Sequence, residues 1–123
     1  MKTLNRFCLL AMLLLGSSIA FAHHSSSGID RNGSVTVEGI VKQFSWTNPH
    51  SWIELEVVNA KGETEIWNFE MNPPSYLIKA GFTRSSLKPG DKVSVTARPF
   101  FDARPGGLFV SVTLANGETL GGR

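Results

Sequence analysis

Residues 35–57 read VTVEGIVKQFSWTNPHSWIELEV, two alternating runs joined by a polar corner. In the first run Val35, Val37, Gly39 and Val41 occupy every second position. In the second, Ile53, Leu55 and Val57 share one phase, with Trp52, Glu54 and Glu56 on the other. A period of two is the signature of half-buried antiparallel strands, because successive side chains point to opposite faces. After Val41 the apolar phase changes, since Phe44 and Trp46 fall on the opposite parity. A β-bulge near Lys42–Gln43 reconciles the two halves and increases curvature. Such a strand suits a small closed or half-closed barrel. The corner, Thr47-Asn48-Pro49-His50, contains a turn pair in which Asn48 is available as a side-chain cap.

Downstream, Asn59-Ala60-Lys61-Gly62 reads as a hairpin loop. The third run, Thr64 to Phe69, has Ile66 on one phase and Trp67 and Phe69 on the other, which leaves its inward face open. Pro73 and Pro74 forbid a central strand but can start a helix, expected over Ser75 to Ala80. Gly81 is placed to close it in a left-handed cap, with Phe82 packing back. Lys88-Pro89-Gly90-Asp91 is a turn. The fourth strand, Lys92 to Pro99, turns Val93, Val95 and Ala97 inward. A loop from Phe100 to Gly107 leads to a fifth strand in which Leu108, Val110, Val112 and Leu114 alternate. Asn116-Gly117 then turns into a short last strand at Thr119–Leu120. The fold expected is all-β, a small OB-like barrel of five or six strands with a short helix between strands three and four. An immunoglobulin-like sandwich competes, but it calls for about seven strands and no central helix.

Upstream of the barrel the chain begins as an export signal does. Lys2 and Arg6 precede an apolar run from Phe7 to Gly16, and Ala20-Phe21-Ala22 offers small residues for cleavage. We therefore expect residues 1–22 to be a signal peptide, 23–33 a flexible N-terminal arm and 34–120 a single barrel domain. Removing 22 of the 123 residues leaves 101, enough for one domain with a modest core. Lys2 and Arg6 account for two of the twelve basic residues, so ten remain against ten acidic ones. A balanced charge gives no steering field toward nucleic acid. Cys8, the sole cysteine, leaves with the signal, so the exported chain is held by packing without disulfides. The location expected is periplasmic or secreted, with no stable membrane insertion once the signal is removed.

Cleavage after Ala22 makes His23 the new N-terminus. Its α-amine and imidazole can then chelate one ion, with His24 beside them and His50, the only other histidine, as a further donor. Nitrogen donors of this kind suit Cu(II), Ni(II) or Zn(II), and copper is the metal expected. His50 also has a purely structural reading, as a hydrogen-bonding residue that holds the corner. Its sequence neighbours include no carboxylate visibly placed to orient an imidazole. The aromatic residues Trp46, Trp52, Trp67, Phe100 and Phe101 are candidates for a ligand- or partner-binding surface, Trp52 foremost because it lies on the outward phase. Core packing is the competing role for most of these rings. No Gly-x-Ser-x-Gly, phosphate loop or HExxH is present, and we expect no catalytic residues and no enzyme.

Several segments together resemble the DUF6152 proteins of Gram-negative bacteria. They are His23-His24-Ser25, Val37-Glu38-Gly39, Trp46-Thr47-Asn48-Pro49-His50, Gly81-Phe82-Thr83-Arg84 and Leu87-Lys88-Pro89-Gly90-Asp91. The resemblance implies an exported protein with an OB-like core, and it carries no established activity. The function expected is non-catalytic binding, of copper or another transition metal through the N-terminal histidine. The alternatives are a module that binds an envelope protein or a small ligand through an aromatic face, and a structural accessory domain.

Overall fold

The computed structural model describes residues 28–122. In chain order it contains β1 Val35–Ser45, β2 Trp52–Val58, β3 Thr64–Glu70, α1 Pro74–Lys79, β4 Lys92–Pro99, β5 Gly106–Thr113 and β6 Thr119–Gly121. β1 serves two partners, pairing antiparallel with β4 through its first half and with β2 through its second. β2 pairs with β3 and β4 with β5, both antiparallel, while β3 runs parallel to β5. This parallel pairing closes a five-stranded mixed barrel, to which β6 adds one strand beyond β5. Among the described residues, the single short helix lies between strands three and four, as expected for the OB-like order.

Closure depends on local irregularities written into the sequence. The β1–β2 register slips between Val41 and Gln43, where the phase change placed a bulge. Val41 and Phe44 can therefore both pack on the core. At the other seam, β5 begins in a narrow gap between β3 and β4. A Cβ at Gly106 would collide with the Asn68 carbonyl oxygen, and one at Gly107 with that of Arg98. The two glycines also have φ of +125° and +151°, so side chains are excluded there on two counts.

Ile53, Leu55, Phe69, Val95, Ala97 and Val112 are fully buried and form the centre of the core. Leu77, Phe82 and Leu87 join it from α1 and the segment that follows. α1 ends as predicted. The Phe82 N–H donates to the Leu77 carbonyl at 3.0 Å and the Gly81 N–H to that of Ile78 at 3.1 Å, which folds the Phe82 ring back into the interior.

Three local readings are settled or revised. In β3, Phe69 is buried and Trp67 half-buried, so Ile66 is the outward residue. In β5 the expected alternation fails. Thr96 pairs with Ser111 but Ala97 with Phe109, leaving Val110 as an extra residue. Phe109 consequently packs on the core in place of Leu108 and Val110. Because 108–110 are apolar throughout, the pattern carried no sign of the slip. Finally, residues 28–33, assigned to a flexible arm, lie against the end of β4. Ile29 is buried and bridges Phe100, and the Asp30 N–H donates to the Pro99 carbonyl at 2.9 Å. The rest of the arm and the expected signal lie outside the described residues. Among the described residues, no helix is long and apolar enough to cross a membrane.

Candidate functional site

The corner between β1 and β2 is a fixed structure. Ser51 is fully buried; its hydroxyl accepts from the Thr47 N–H at 3.3 Å and donates to the Thr47 carbonyl at 3.4 Å. The Thr47 hydroxyl donates to the His50 carbonyl at 2.8 Å. Thr47 and Ser51 thus close the corner, the role the sequence suggested for Asn48. The Asn48–Pro49 peptide is cis. Backbone bonds between Ser51 and residues 71–72 carry the β2–β3 pairing past the strand ends. The segment carrying His50 is therefore anchored on both sides.

His50 meets a carboxylate there. Its Nδ1 lies 2.5 Å from Oε1 of Glu70, with the two side chains 34% and 20% exposed. Glu70 is the last residue of β3 and pairs with Trp52, two positions after His50. In a neutral imidazole, a carboxylate on Nδ1 favours the proton on that nitrogen and leaves the lone pair on Nε2. This orienting carboxylate escaped the sequence reading because Glu70 reaches His50 only through the β2–β3 register.

Of the other candidates among the described residues, Trp52 lies beside this pair and the rest are dispersed. His23 and His24 lie outside the described residues. Trp52 is outward and 38% exposed. Trp46 packs edge-on to Phe44, with centroids 5.8 Å apart, and leans on the core. Trp67 takes the inward phase, stacks on Phe69 and donates its indole N–H to Glu65 at 3.3 Å. Phe100 is half-buried beneath the Arg104 guanidinium, 3.8 Å from the ring centre, whereas Phe101 is 71% exposed. Antiparallel pairing of β1 with β4 sets this phenylalanine loop at the opposite end of β1 from the corner. The structure thus brings together His50, Glu70 and Trp52.

Around them, the outer face of β2 and β3 is acidic. Glu54 and Glu56 follow Trp52 on its phase and Asn68 precedes Glu70 on β3. Lys42 of β1 contacts Glu54 at 3.6 Å. Among the described residues, no group of three or more His, Cys, Asp or Glu is placed to hold a metal ion. A metal at His50 would need donors from elsewhere in the chain.

The chain belongs to DUF6152, a family of unknown function, whose model matches residues 11–109. No curated protein matches it. Among solved structures it is similar to the mitochondrial single-stranded DNA binding protein Rim1 of S. cerevisiae, with a TM-score of 0.51 and 12% identity. The match covers 68% of this chain and 93% of that one. At this identity the likeness concerns the fold alone, an OB-like barrel.

Proposed function

We propose that this DUF6152 protein is an exported, non-catalytic binding protein that holds a transition metal, most readily copper, with His50 as one donor. The observation that carries the reading is the Glu70 carboxylate on Nδ1 of His50. Imidazoles that ligate metals are commonly oriented in this way, through the nitrogen that does not face the ion. The remaining donors in this reading are the α-amine and ring of His23 and the ring of His24, supplied after removal of residues 1–22 in the periplasm or during secretion. Cu(II) favours nitrogen sets of this kind, and an amine with a pKa of about 7.7 gives up its proton to a metal at small cost near neutral pH.

Nucleic acid is not proposed as a ligand, although the yeast protein of similar shape binds single-stranded DNA. In OB-like barrels the strand 2–3 face is the usual platform, and here it carries Glu54, Glu56 and Glu70. Carboxylates repel a phosphate backbone. A second reading rests on Trp52, which with Ile40 and Ile66 leaves large apolar side chains exposed on the outer face of β1–β3. That surface suits an envelope protein.

The test is a copper titration of the exported, processed protein, its N-terminus fixed by intact mass, beside a form carrying one extra residue before His23. One-to-one binding that is lost in the extended form supports the metal reading. Equal or absent binding in both overturns it, and weakened capture of an envelope partner by Trp52→Ala would favour the second.

A further inference from the structure

A cleft of about 540 Å³ lies between α1 and β5. Its volume falls in the range of small-molecule sites, roughly 300–1,000 Å³. Its apolar floor comes from β5 across the slip, where Leu108, Phe109 and Val110 all line the cleft, joined by the core residues Leu77 and Phe82. The Gly122 N–H donates to the Val110 carbonyl at 2.9 Å, so the strand-six tail borders the cleft without contributing a side chain at that point.

The charged groups have one sign. Arg98, the cross-strand partner of Leu108, and Lys79, in the last turn of α1, both line the cleft, and none of the lining residues is acidic. Arg98 is half-buried and donates from Nη1 to the Gly33 carbonyl at 3.3 Å, which holds its side chain near the barrel wall. Lys79 stands 5.8 Å from the centre of the Tyr76 ring. An apolar floor with two cations and no carboxylate is complementary to a ligand with an apolar body and an acidic head.

We propose that this cleft binds a small amphiphilic organic acid, its carboxylate on Arg98 with Lys79 adding attraction, and its apolar body on Leu108 and Val110. Apolar contact supplies affinity, and the guanidinium sets the preference for an anion.

The experiment is an amide NMR titration of the processed protein with decanoate, beside decan-1-ol and decylammonium of the same chain length. Saturable shifts should centre on Ala80, Leu108, Val110 and Gly122, with decanoate favoured over both controls by about tenfold or more, the scale of one charge-assisted hydrogen bond. Arg98→Gln should abolish that preference while leaving decan-1-ol binding in place, and Lys79→Gln should reduce it less. The dispersion of each variant's spectrum checks that it is folded. Equal shifts with all three probes, no saturation at these amides, or an unchanged preference in folded Arg98→Gln would each overturn the proposal. Lys79→Gln is the folded comparison should Arg98→Gln lose its dispersion, and an unchanged decanoate preference in it counts against the site.

Discussion

Replacing Glu70 should separate metal affinity from stability. Its carboxylate lies 2.5 Å from Nδ1 of His50, and the two side chains are one-third and one-fifth exposed. A pair so open to water adds little to folding, at most about 1 kcal/mol. For a domain of this size that is a shift in Tm of about 4–8 °C or less. The effect on a metal held by His50 should be larger. Loss of an orienting carboxylate lowers metal affinity by about 10–100-fold, or about 1.4–2.7 kcal/mol. Glu70→Gln keeps an oxygen able to accept from Nδ1 and loses only the charge, so it should sit near the lower figure. Glu70→Ala loses both and should approach the upper one. His50→Ala removes the donor itself and should bind weakest of all.

Chelator-competition titrations of copper, with Tm read on the metal-free proteins, give both quantities. Glu56→Gln, on the same face and outside the His50 contact, is the control for charge alone. The affinity order should be unmodified protein and Glu56→Gln, then Glu70→Gln, Glu70→Ala and His50→Ala. If Glu70→Ala binds copper as tightly as the unmodified protein while His50→Ala does not, the orienting role is refuted. If His50→Ala also binds normally, His50 is no ligand and its pair with Glu70 serves the corner alone.

Two further perturbations probe the fold. Phe82→Ala removes a ring that is 1% exposed and touches both Phe44 and Phe109; denaturant unfolding should show a loss of about 3–5 kcal/mol, the usual cost of such a deletion. Gly107→Ala forces a Cβ onto the Arg98 carbonyl at the β4–β5 seam, so amide exchange should quicken around Gly106–Leu108 and along the facing end of β3, whereas unchanged protection would show that the seam tolerates a side chain.

The barrel was legible because its alternation is local. Val35–Val41, Ile53–Val57 and Val93–Ala97 each declare an inward phase within a few residues, and the break after Val41 announces its own bulge. The β5 slip was illegible because Leu108, Phe109 and Val110 are all apolar, and a shift of phase changes nothing in a pattern that has no polar residue to displace. Ile29 was hidden differently, as one apolar residue in a polar stretch whose partner, Phe100, is remote in sequence. The same holds for the site. His50 could be singled out from its composition and its corner, but Glu70 could not, because an orienting contact is a property of register.

Register also explains why the two proposed sites can be tested apart although they are neighbours. Trp52 pairs with Glu70, Glu70 with Leu108, and Leu108 with Arg98, one row across four strands. Adjacent strands lie about 4.8 Å apart, which puts Glu70 and Arg98 about 10 Å from each other with Leu108 between them. Glu70 is not among the residues lining the cleft, and His50 contacts the carboxylate from the β1–β2 corner. Glu70→Gln should therefore leave the preference for decanoate intact, and Arg98→Gln should leave copper affinity intact. Leu108 is the shared element: a Phe there would intrude on the cleft and crowd Glu70 together. Weakening of both bindings in Leu108→Phe, with each glutamine variant weakening only one, is the pattern expected of two sites built on one row. Loss of both in either glutamine variant would mean a single site, and the division drawn between them would fall.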